Sequence, residues 1–208
     1  VINRQPTYSL TNPGQNDGVI AGVVHGDITY IHPTPANKYA SLIPVLIEKL
    51  ADLVNITDEE MERTYKISPS ELITYGIDEK IEYNDVIKYK DLIKEYSLYG
   101  NICEHAFNII DNNDMGVKRR ILNSISLHYK DFKGQLLLEN KTSEIADIDI
   151  IRMNADKIID YVKEVLEKRI LEDGSKDRLF VEDIDMGLIR IICYSFVECK
   201  ILEKPKVK

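Results

Sequence analysis

From about Asn37 onward the apolar positions of the chain recur every three or four residues, the mark of helices buried along one face. Tyr39, Leu42, Ile43, Leu46, Ile47, Leu50 and Leu53 form the first such stripe. Pro44 falls inside it. A proline has no amide to give an interior helical turn, so it either kinks this helix or marks its true start. Thr57 with Glu60, and Ser68 with Glu71, have the spacing of capping boxes, which predicts two short helices. The second has Pro69 at the favoured first position and is closed by Gly76.

Four longer stripes follow. One starts from a cap at Asn84 and runs through Tyr89, Leu92, Ile93, Tyr96, Tyr99, Cys103, Ala106, Phe107 and Ile110. The next starts at Asp114 and turns Val117, Ile121, Ile125, Tyr129, Phe132 and Leu136 inward. The third carries Ile151, Ala155, Ile158, Ile159, Val162, Leu166 and Ile170 up to Gly174. The last opens with Glu182, Asp183 and Asp185, buries Ile184, Leu188, Ile192, Phe196 and Val197, and closes with Lys200. Acid first and base last suits the helix dipole.

The front of the chain is patterned differently. Val1 to Gly18 is rich in Asn, Gln, Gly, Pro, Ser and Thr and reads as a linker. Val19 to Ile31 holds two β-rich runs around His25-Gly26-Asp27, a plausible hairpin turn. An isolated two-stranded hairpin is marginal in water, so it must pack on the helices or pair with another chain. That makes Val23, Val24, Ile28 and Tyr30 candidate interaction residues and a homo-oligomer the expected state. The fold class is therefore mainly α: a multi-helix bundle over residues 37–208 with a short N-terminal β-hairpin and linker over residues 1–36. No repeat of fixed period is present. The first residue is Val1, not Met, so the chain is expected to be part of a longer protein.

Composition narrows the function classes. The 208 residues are 44% hydrophobic and 30% charged, which suits one globular domain with an appendage. A net charge of −8 disfavours a nucleic-acid partner, and the short run Lys118, Arg119, Arg120 reads as a solvated helix face. The three cysteines Cys103, Cys193 and Cys199 show no metal spacing and no disulfide framework; they fit reduced core thiols of a cytoplasmic protein. No apolar run reaches the ~20 residues of a membrane span, so no membrane partner is expected.

The candidates for chemistry are few. The histidines His25, His32, His105 and His128 make no HExxH motif and no helical pair. Cys103-Glu104-His105 are adjacent, and on a helix adjacent side chains diverge by about 100°. Cys103 then belongs to the core and His105 to the rim; a cysteine–histidine nucleophile needs His128 to be brought in by the fold. Asp147 and Asp149 read either as ligands of a metal-dependent nuclease or as acids at a helix start, and the dipole favours the second. No glycine-rich phosphate loop occurs. The expectation is no catalytic residue, no metal and no cofactor, with a metal-dependent nuclease or a cysteine hydrolase as the alternative. Tyrosine is over-used: twelve against four Phe and no Trp. Tyr83, Tyr89, Tyr96 and Tyr99 crowd one region, either as the wet edge of a core or as a surface for a partner or a small ligand. Tyr83 and Tyr96 are the candidates there.

Two stretches carry a resemblance. One is Lys80-Ile81-Glu82-Tyr83-Asn84, followed by Lys88-Tyr89-Lys90 and Glu95-Tyr96; the other spans Asn154-Ala155-Asp156-Lys157-Ile158-Ile159 and, further on, ends in Phe196-Val197-Glu198-Cys199-Lys200-Ile201-Leu202-Glu203-Lys204-Pro205. With the polar lead-in, the chain from Asn37 to the end resembles the C-terminal domain of bacterial ABC-three-component systems. The resemblance implies an adaptor or sensor in a conflict system against phage. It implies an effector domain fused upstream and an ABC-type ATPase as partner, and it assigns the domain no catalytic residue. Glu198 and Lys200 are then candidates for a partner-facing edge.

Overall fold

The computed structural model describes residues 40–56, 58–67, 76–172 and 179–205. The chain divides into two units, Val1–Asn37 and Lys38–Lys208, and every described residue belongs to the second. The hairpin expected over Val19–Ile31, with Val23, Val24, Ile28 and Tyr30, lies outside the described residues. So do Thr57, Ser68, Pro69, Ser70, Glu71 and Gly174.

The described residues form nine helices and no strand, the mainly α bundle that the spacing predicts. They are α1 (Ile43–Val54), α2 (Asp58–Tyr65), α3 (Ile77–Tyr83), α4 (Lys90–Ser97), α5 (Asn101–Asn113), α6 (Val117–Glu139), α7 (Asp147–Met153), α8 (Ala155–Glu172) and α9 (Val181–Val197). Pro44 sits in the first turn of α1, where its missing amide costs nothing, so it marks the true start.

Two of the long stripes are each broken into more than one helix. Asn84 does not start the helix that follows; it ends α3, and Asp85 turns the chain at φ 53° before α4 begins. Between α4 and α5 the backbone tightens. The amides of Leu98, Tyr99 and Gly100 donate to the carbonyls three residues back, at Glu95, Tyr96 and Ser97. The stripe of buried residues runs on through this tightening, which is why its spacing conceals the break. Asp114 likewise closes α5, and α6 starts from Gly116 at φ 84°, a left-handed conformation that glycine adopts without strain. Asn154 divides α7 from α8, its side-chain amide donating to the Ile150 carbonyl at 2.8 Å.

The second half of the last helix is buried nearly all round. Leu188, Ile191, Ile192, Cys193, Tyr194, Ser195 and Phe196 are all buried, more than the single face that the spacing predicts, while its first turns with Glu182 and Asp185 are exposed. A helical stretch with no polar face belongs in the middle of a domain, and α9 packs against α1, α4, α5 and α8. Gly187 lets α1 come close: a Cβ there would meet Ile47 at 2.9 Å. Lys200 lies beyond the end of α9, whose last turn has no basic residue. The helix ends instead on a left-handed residue, Cys199 at φ 54°. The Cys199 amide donates to the Phe196 carbonyl and the Lys200 amide to that of Ser195, the paired bonds of a Schellman termination.

Candidate functional site

The segments that carry the resemblance lie far apart in sequence and meet in space. Lys80 is 4% exposed and Asn84 is 0% exposed, both on the buried side of α3. The Lys80 ammonium donates to the Phe196 and Ile201 carbonyls and lies 4.2 Å from the centre of the Phe196 ring. The carbonyls at the end of α9 and the ring face are all electron-rich, so they suit a cation. Burial still dominates: it pulls the Lys80 amine down to about 8, against the opposing pull of the Cys199 thiol. Asn84 closes the tail like a backbone strand. Its amide donates to the Glu203 carbonyl at 2.9 Å, and its side-chain oxygen accepts the Glu203 amide at 2.9 Å. The Glu203 carboxylate accepts from Tyr129 and Lys133 on α6. Burial works against that carboxylate, but these two bonds outweigh it and hold it below the usual range.

The middle segment grips the turn between α3 and α4. One oxygen of Asp156 accepts the amides of Ile87 and Lys88, at 3.1 and 3.0 Å, just ahead of α4. This is the work of an N-cap, done by a residue of α8. Asp160, one turn on, accepts from the Lys88 ammonium and the Tyr89 hydroxyl. Arg152 donates to the Tyr83 carbonyl at 2.7 Å and lies 4.9 Å from the centre of its ring. Spacing shows none of these roles, because Lys80, Asp156 and Arg152 read as ordinary helix-surface residues, and Asn84 as a helix cap, until the helices are docked.

A cavity of about 180 Å³ opens elsewhere, between α4, α5 and α9. Tyr96 lines it, half-buried, with its hydroxyl 3.5 Å from the Met186 sulfur and the Arg190 guanidinium 5.0 Å from its ring centre. Tyr99, Tyr194 and Glu198 line it too. Tyr83 belongs to the other seam, under Arg152. Lys200 borders a separate shallow depression of about 360 Å³ with Lys130, Lys133 and Lys204. The fold thus separates the candidates Tyr83, Tyr96, Glu198 and Lys200 into three places, with Tyr96 and Glu198 sharing the cavity.

Cys103 is buried, and its thiol points to the Arg190 carbonyl at 3.8 Å. Burial pushes that thiol up to about 12. His105 is exposed and meets the Tyr65 hydroxyl at 3.0 Å. His128 faces Arg169 and Asp131, so the fold surrounds it and Cys103 with different neighbours. Glu104 accepts from Lys118 and Tyr194. Asp147 and Asp149 occupy the first turn of α7, where Asp149 pairs with Arg152 at 3.1 Å. Among the described residues no three His, Cys, Asp or Glu side chains converge as metal ligands would. No helix there is long and apolar enough to cross a membrane. Compared with protein-family models, curated proteins and solved structures, the chain matches none.

Proposed function

We propose that this chain is a non-catalytic interaction and sensing module of a larger bacterial defence protein of the ABC-three-component type. It joins an upstream effector to partners, an ABC-type ATPase among them, and to further copies of itself in the cytoplasm. One observation carries the reading. The residues on which the resemblance rests, Lys80, Asn84, Asp156, Phe196 and Glu203, bond to one another and to backbone, so their work is to build a rigid body. A cysteine hydrolase needs a thiolate, and a thiol pushed up to about 12 stays protonated at neutral pH.

The test uses the full-length protein co-expressed with an ABC-type ATPase encoded beside it. Native mass spectrometry should find the two in a fixed stoichiometry; two folded proteins that never associate would reject the reading. The Cys103→Ser, His105→Ala double variant separates it from the hydrolase alternative. That variant should keep both the complex and protection against phage. Loss of protection with an unchanged melting curve would overturn the non-catalytic reading.

A further inference from the structure

The cavity between α4, α5 and α9 is lined by two polar groups that have no hydrogen bond or ion pair among the described residues. Ser97 is 4% exposed, lines the cavity, and its hydroxyl has no hydrogen-bond partner among the described residues. A helical serine ordinarily bonds back onto the preceding turn, and a buried hydroxyl that bonds to nothing is costly. Arg190 lines the same cavity. Its guanidinium lies over the Tyr96 ring and makes no ion pair or hydrogen bond among the described residues. Glu104 also lines the cavity, but its carboxylate is already held by Lys118 and Tyr194. Glu95 and Glu198 are exposed to water. Glu198 lies eight residues further along the chain than Arg190, about 12 Å at the helical rise. Arg190 therefore offers a positive charge without an ion pair at its own end of the cavity, away from Glu198.

Ile67, Ile102 and Val197 give the cavity an apolar wall, beside the polar Asn101, Glu104 and Glu198. At protein packing density, 180 Å³ holds roughly ten non-hydrogen atoms. We infer that this cavity binds a compact monocarboxylate, with its carboxylate on Arg190 and its apolar body against this wall and the Tyr96 ring. The Ser97 hydroxyl donates the second bond. A planar guanidinium matches a carboxylate fork, and the ring beneath fixes its orientation. The inference deepens the sensing reading by naming a ligand class, and it rests on that reading for its biological meaning alone.

The probes are benzoate, phenylacetate and isovalerate, with benzamidine and benzyl alcohol as cationic and neutral controls. Binding to the 208-residue chain is followed by calorimetry and by amide chemical shifts. At least one acid should bind at millimolar concentration and shift the amides of Gly100, Ile102 and Val197, while the controls do not. Arg190→Gln should weaken it by about tenfold or more, and Ser97→Ala by about threefold to tenfold. Arg190→Lys, which keeps the charge but not the fork, should fall between, and each variant's melting curve establishes that it is folded. Failure of all three acids, equal binding of benzamidine, or unchanged affinity in folded Arg190→Gln overturns the inference. The ATPase is absent from this experiment. Acid binding without an ATPase complex would sink the assembly reading alone, and a complex without acid binding would sink the cavity alone.

Discussion

A lysine that is 4% exposed must be held by something, and Lys80 is held by two carbonyls and a ring. These groups soften the cost of burying its charge without removing it. In the folded protein its amine titrates at about 8, against 10.5 when free. Between those values the unfolded chain keeps a proton that the folded one has released, so this residue makes stability rise with pH across the window. Buried Cys103 and Tyr129 are pushed up instead, and above their free values they lower stability as pH rises. They do so equally in wild type and variant, and so cancel in the difference. Urea titrations from pH 7.5 to 10 should show wild type gaining on Lys80→Met by up to about 3 kcal/mol. A difference that does not change with pH would mean that Lys80 reaches water. None of this is legible in the sequence, where a lysine between Glu79 and Ile81 reads as surface. Arg190 and Ser97 escape the sequence for the same reason: their missing partners exist only once α4 and α9 are docked.

At the scale of elements the periodicity serves better. The stripes identify which faces are buried in α1, α6 and α8, because core packing and helical spacing agree there. They fail where helices stop. No proline stands between α4 and α5 or between α7 and α8, and apolar residues continue through both breaks. The centrality of α9 is half legible: its apolar run is plain, but the close approach to α1 depends on one missing methyl group. Gly187→Ala would drive a Cβ to 2.9 Å from Ile47 and should cost about 1–3 kcal/mol. Ile47→Ala removes the two carbons nearest that point, Cγ1 and Cγ2. The double variant should then be at least about 1 kcal/mol more stable than the two single costs predict. Simple additivity in a denaturation cycle would show that the two helices separate freely.

For the molecule as a whole, the proposal that copies assemble by strand pairing over Val19–Ile31 has a direct test. Light scattering should find the intact chain larger than a monomer and a version beginning at Asn37 monomeric. Two monomers would leave the hairpin no role in assembly. The helical body has its own long-range constraint. Asn84 and the Glu203 backbone are 119 residues apart and hydrogen-bond in both directions. Closing such a contact comes late, because the intervening chain must first be ordered. During synthesis Lys80 and Asn84 emerge early and wait for Phe196, Ile201 and Glu203, the last described stretch of the chain. Until then the apolar surface that Phe196, Ile201 and Leu202 cover stands open to water, where chaperones and proteases can find it. The tail therefore completes the fold: a chain that stops before Ile201 lacks the bonds that close Lys80 and Asn84 into the body.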